Sequence, residues 1–116
     1  MIGYSMALRY YFYGGVVDMR KGMYSLAGLV GSELGRDALS GEVFIFMGAR
    51  CQQVKLLWFQ GDGFGLYYRK LEKGTFERPV GMGKGVELTA GELMCLMEGI
   101  VLKSVVLRRD RAALVG

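Results

Sequence analysis

Residues 42–71 read EVFIFMGARCQQVKLLWFQGDGFGLYYRKL, and this run decides the fold. Glu42 to Met47 is rich in the aromatic and β-branched residues that suit a pleated strand, and Ser40-Gly41 and Gly48 bound it. Val54 to Phe59 reads as a second strand and Phe64 to Leu71 as a third. Between those two lies Gln60-Gly61-Asp62-Gly63, where the Asp-Gly pair predicts the positive φ values of a tight hairpin turn. The three strands are expected to form an antiparallel meander.

Upstream, Met6 to Tyr13 predicts another strand, with Leu8, Tyr10 and Phe12 on one face and Arg9, Tyr11 and Tyr13 on the other. A helix is predicted next. Asp18 is read as its N-cap, and Met19, Met23, Leu26, Val30 and Leu34 recur at steps of three and four. Gly35 suits the left-handed residue that ends it. Downstream, 75–86 reads as a loop holding Pro79, the single proline, and the run Gly81-Met82-Gly83-Lys84-Gly85. Thr89 with Glu92 three residues later is a capping-box pattern, opening a short helix that carries Leu93, Leu96 and Met97. Ile100 to Leu107 is read as a last strand.

The expected order is β-α-β-β-β-α-β in an α+β fold. A mainly antiparallel sheet of about five strands would carry both helices on one side. One domain is expected over 1–107, with 108–116 as a basic tail.

Composition narrows the function. The chain has 116 residues, 15 Lys+Arg against 11 Asp+Glu, a net charge of +4 and no histidine. Lack of histidine removes the commonest general base and the commonest zinc ligand. Cys51 and Cys95 lie 44 positions apart, too far for a CxxC or metal knuckle, and are expected to be reduced thiols. No apolar run approaches the length of a membrane span, and the first 15 residues lack the pattern of a secretion signal. A cytoplasmic protein is the expectation. Glycine, at 19 residues, is about twice its ordinary ~7% share and marks turns.

The candidate chemistry is thin. Neither GDGFG nor GMGKG matches a Walker loop or a dinucleotide fingerprint. Gly63-Phe64-Gly65 imitates the centre of an RNA-binding strand signature, with Asp62 where a cation belongs. The same strand puts Tyr67 and Arg69 on one face and Phe64, Leu66 and Tyr68 on the other. Aromatic and basic surfaces of this kind bind nucleic acid, and equally one face can be core and the other solvated. Arg20 and Lys21, read in the first helical turn, oppose the helix dipole. Either an anion at the free N–H groups or a salt bridge to Asp18 would account for them. Of the carboxylates Asp18, Asp62, Glu72 and Glu92, only Glu72 lacks a cap or turn role, so no catalytic metal pair is expected. No catalytic residue and no cofactor are predicted.

A resemblance adds to this. Asp18-Met19-Arg20-Lys21-Gly22 resembles the DMRKG signature of the TnpB-type accessory proteins of the insertion sequence 66 transposon family. Ser40-Gly41 with Phe44 and Phe46, Arg50, Lys55-Leu56-Leu57, Gly61-Asp62-Gly63-Phe64, Leu66-Tyr67-Tyr68, Leu71-Glu72, Gly74 and Phe76 continue the match to Pro79. It runs on more weakly through Leu88-Thr89, Glu92-Leu93 and Glu98-Gly99-Ile100. The chain departs from the family pattern at Phe59-Gln60, where Trp-Asp is usual, at Arg69-Lys70 for Lys-Arg, and at Asp37-Ala38 for Asp-Pro.

The resemblance implies a non-catalytic role in DNA transposition, beside a separate transposase that carries the catalytic acidic residues. The expected partners are that transposase and the element's DNA, with a homo-oligomer also open and no membrane involved. The expected contact surface comprises Arg20, Lys21, Arg50, Lys55, Arg69, Lys70 and Lys73. The alternative is a protein-interaction module that docks on the transposase without touching DNA.

Overall fold

Val43, Phe44, Ile45, Phe46 and Met47 are all buried, which places this strand at the centre of a sheet covered on both faces. The computed structural model describes residues 8–81 and 83–98. Its elements are β1 (Tyr10–Tyr13), α1 (Met23–Ser32), β2 (Val43–Met47), β3 (Gln53–Phe59), β4 (Phe64–Lys70), β5 (Gly85–Leu88) and α2 (Ala90–Met97). The sheet order is β4-β3-β2-β1-β5. The β2-β3-β4 meander is antiparallel as expected, with Leu57 opposite both Phe44 and Leu66. β1 joins β2 in parallel through the α1 crossover, and β5 pairs antiparallel with β1. The fold is a single α+β domain with two helices and a five-stranded, mostly antiparallel sheet.

Four details differ from the sequence reading. First, the helices cover opposite faces rather than one side. Leu26 and Val30 of α1 pack with Tyr11, Phe44, Phe46 and Leu57. Leu96 of α2 packs with Phe12, Ile45, Val54, Leu56 and Phe76 on the other face. The central strands are apolar at successive positions, so each face needs its own cover.

Second, part of the 75–86 segment read as a loop is strand β5. Its short alternation half-buries Val86, buries Leu88 and exposes Glu87, which pairs with Arg9 at 3.0 Å. The described order is therefore β-α-β-β-β-β-α. The last strand read at 100–107, the 108–116 tail and residues 6–7 of the strand read over Met6 to Tyr13 lie outside the described residues.

Third, α1 begins at Met23 behind an N-cap Gly22, five residues after the expected cap. The Asp18 carboxylate accepts the Arg20 backbone N–H at 2.9 Å instead, closing a local turn before the helix. Gly35, at φ +63°, does end the helix region as expected.

Fourth, the β3–β4 turn takes its left-handed residue at Gly61, φ +97°, and not at the Asp-Gly pair. The Gln60 N–H closes it on the Gly63 carbonyl at 2.8 Å. The Thr89–Glu92 capping box forms as predicted, with both reciprocal bonds present. Cys51 and Cys95 are free thiols.

Candidate nucleic-acid interface

Two loops and one strand build the surface. The first loop joins β2 to β3. Cys51 there adopts φ 56°, a left-handed conformation uncommon for a side-chain-bearing residue. Its N–H bonds the Gly48 carbonyl at 3.1 Å, and the Gly48 N–H bonds the Gln53 carbonyl at 3.1 Å. The tight path leaves Arg50 exposed at its crest. Arg78 braces the loop from behind, donating to the Gly48 carbonyl at 2.9 Å.

The second loop is the lead-in to α1. Val17 anchors it to the end of β2 through a 3.2 Å bond from its N–H to the Met47 carbonyl. The Arg20 guanidinium then grips Asp18 at 2.7–3.1 Å, and hydrogen bonding from Arg20 holds the Asp18 carboxyl far below its ordinary range. Of the two explanations open for Arg20, the salt bridge is the one present. Because the pair is largely exposed, it adds little to stability.

Beneath this lead-in, β3 supplies Lys55. The side chain is only 8% exposed, and its ammonium donates to the carbonyls of Met19 at 2.7 Å and Lys21 at 2.8 Å. Burying an ammonium is tolerable only with such partners, and the carbonyls that precede a helix are free to serve. Lys55 therefore does not belong to the outward basic surface expected from the sequence. It is a strut that fixes where Lys21 stands.

β4 completes the surface. Lys70 lies opposite Gln53, and the Tyr68 hydroxyl donates to Gln53 Oε1 at 2.6 Å. The Tyr68 ring centre is 5.4 Å from the Lys55 ammonium. At the far end of the same strand face, Tyr24 of α1 meets Phe64 edge-on, with ring centres 6.0 Å apart. An open depression of about 260 Å³ between the two loops is lined by Asp18, Arg20, Arg50 and Gln53, among others.

The tertiary fold thus brings Arg20, Lys21, Arg50 and Lys70 to one end of the α1-covered face. Among the described residues, Lys21, Arg50 and Lys70 enter no ion pair. Arg69 is not with them. Strand alternation sends it to the opposite face, in register with Val54. Lys73 is exposed in the turn beyond β4, after Leu71 bonds back to Gln52 at 2.9 Å.

Sequence reasoning missed Tyr24, Gln53 and Arg78. The signal for Tyr24 was present, since it falls off the Met23-Leu26-Val30 stripe and so had to face outward. The roles of Gln53 and Arg78 depend on contacts 15 and 30 residues away, which no local pattern encodes. Among the described residues no group of three or more Asp, Glu or Cys is arranged to hold a metal. No helix among them is long and apolar enough to cross a membrane.

A family model described as "IS66 Orf2 like protein" matches residues 8–106. The chain belongs to this family. It is also 34% identical over 100 residues to the "Uncharacterized protein y4jC" of Sinorhizobium fredii, covering 86% of each chain. A second protein of that organism, "Uncharacterized protein y4hO", is 34% identical over 86 residues, covering 74% of this chain and 75% of the other. No solved structure matches. In this IS66 Orf2-like chain, two of the motifs that carry the resemblance, Asp18–Gly22 and Lys55–Leu57, are in contact, because Lys55 bonds the backbone of the first.

Proposed function

We propose that this protein acts without catalysis in the transposition of an insertion sequence, binding the element's DNA through the end of the sheet that presents Lys21, Arg50 and Lys70. Family membership points to the transposition accessory role. The observation supporting DNA as the ligand is the convergence of three unpaired cations from three separate elements. Lys21 is held in place by a buried lysine. A solvated face made for solubility has no need of such a strut.

Phosphate contacts make the prediction quantitative. Three cations neutralising three phosphates give a salt slope near −2.7, or about a fortyfold loss in affinity between 50 and 200 mM salt. Fluorescence anisotropy with the element's terminal DNA should read that loss. Lys21→Glu combined with Lys70→Glu should abolish binding while leaving the circular dichroism spectrum unchanged. Affinity indifferent to salt, or no binding at low salt, would overturn the reading.

A second reading has its own observation. Val80 is 95% exposed, and Met94 on α2 is also exposed, so apolar side chains are offered to a partner as well. Docking on the transposase through them would survive the double charge reversal and fail on Val80→Ser with Met94→Ser in a pull-down with the transposase.

A further inference from the structure

We infer that the basic surface takes single-stranded DNA, with unpaired bases stacked on Tyr24 and Tyr68. The inference rests on the reading that this surface binds DNA and names the form of DNA it takes. Tyr24 is 78% exposed and Tyr68 is 47% exposed, so neither ring is consumed by the core.

Both rings are nonetheless held. The edge contact of Tyr24 with Phe64 continues into a second one, from Phe64 to Phe59, with ring centres 5.2 Å apart. Tyr68 is fixed at its hydroxyl by Gln53 and has the Lys55 ammonium over one face of its ring. A ring fixed at its rim loses little freedom when a base lies on its face.

The placement suits one extended strand. Phe64 and Tyr68 share a face of β4 and are four residues apart, about 13 Å along the strand. Tyr24, seated against Phe64, and Tyr68 therefore mark two separate places along the strand, and each is assigned its own base. Cations accompany them, with Lys21 three residues before Tyr24, its backbone held by Lys55 opposite Tyr68, and Lys70 two residues after Tyr68 on the same face. Arg50 lies beyond, across the depression it shares with Gln53. Alternating stacking rings and phosphate partners are the means by which single strands are bound without regard to sequence. In a duplex the base faces are already stacked on one another, and the tyrosines would have nothing to engage.

The test is fluorescence anisotropy of the full chain with labelled oligo(dT) and with a blunt duplex of equal length, at two salt concentrations. Oligo(dT) is expected to bind more tightly. Tyr24→Ala and Tyr68→Ala should each weaken oligo(dT) binding about fivefold or more, with duplex binding unchanged. Tyr24→Phe should restore it, and Tyr68→Phe, which keeps the ring and loses the Gln53 bond, should restore most of it, which separates stacking from a loss of structure. Equal affinity for both forms, with the alanine variants unaffected but Lys21→Glu and Lys70→Glu damaging, would overturn the stacking proposal and leave the duplex reading standing. No binding to either form would overturn both. Tighter binding of oligo(U) than of oligo(dT) would overturn the assignment to DNA.

Discussion

The ammonium of Lys55 donates a 2.8 Å hydrogen bond to the backbone carbonyl of Lys21. One lysine is buried in the sheet so that another can stand in solvent at a fixed place. The second bond, to Met19 at 2.7 Å, means that a single side chain fastens the whole lead-in to α1.

Lys55→Met keeps the aliphatic stem and removes the ammonium, leaving two carbonyls without their donor. Hydrogen bonds to a charged group are worth about 1.5–3 kcal/mol, so a destabilisation of about 2 kcal/mol is expected. Urea titration followed by circular dichroism measures it. Lys55→Met should also lower DNA affinity although its own charge contacts no ligand, since Lys21 would no longer be positioned.

Gly65 faces Trp58 across the β3–β4 ladder, and a methyl group there would sit 2.4 Å from the indole ring. A rigid, partly buried indole cannot step aside as a lysine tip would. Gly65→Ala should therefore cost about 1–3 kcal/mol by overpacking. Trp58 is the single tryptophan, so its fluorescence emission reports the displacement directly.

Arg36 and Glu42 form a partly buried pair at 2.8 Å, with the Arg36 guanidinium stacked 3.8 Å from the Tyr11 ring centre. The hydrogen bond from Arg36 holds the Glu42 carboxyl below its ordinary 4.5, against the opposing effect of burial and with further help from Ser40. A folded-state value below the unfolded one gives stability that is present above the unfolded value and lost as pH falls through the folded one. Urea midpoints should therefore be steady near neutrality and decline as the pH falls through 4.5 and below. Glu42→Gln should be less stable at pH 7 and show a shallower acid decline, which the same titrations will show.

Thr89 caps α2 with its hydroxyl on the Glu92 N–H at 3.1 Å, and Glu92 returns the bond at 2.8 Å. Thr89→Ala should cost about 1 kcal/mol. Because α2 covers the sheet face opposite the basic end, thermal denaturation should register the change while DNA binding does not.

The order of the first five elements and the second helix were legible locally. The Asp-Gly hairpin run, the Met23-Leu26-Val30 stripe, Gly35 and the Thr89–Glu92 box each act within a few residues. Strand β5 was not legible, because four residues after a glycine run carry too little pattern. Gly85–Leu88 becomes a strand only through the β1 edge that pairs with it.

For the candidate site the division is sharper. The sequence by itself determined the supply: cations, aromatics, no histidine and a family signature. It could not tell Lys55 from Lys70, since both are strand lysines of the same formal charge. The tertiary structure decided that one lies under the α1 lead-in, where backbone carbonyls replace its water, and the other lies at an edge strand open to solvent. Strand alternation, legible in the sequence, sends Arg69 and Lys70 to opposite faces, and the tertiary structure decided which of those faces α1 covers. Local chemistry sets what a residue can do, and only the packing of distant segments sets its dielectric surroundings and its neighbours.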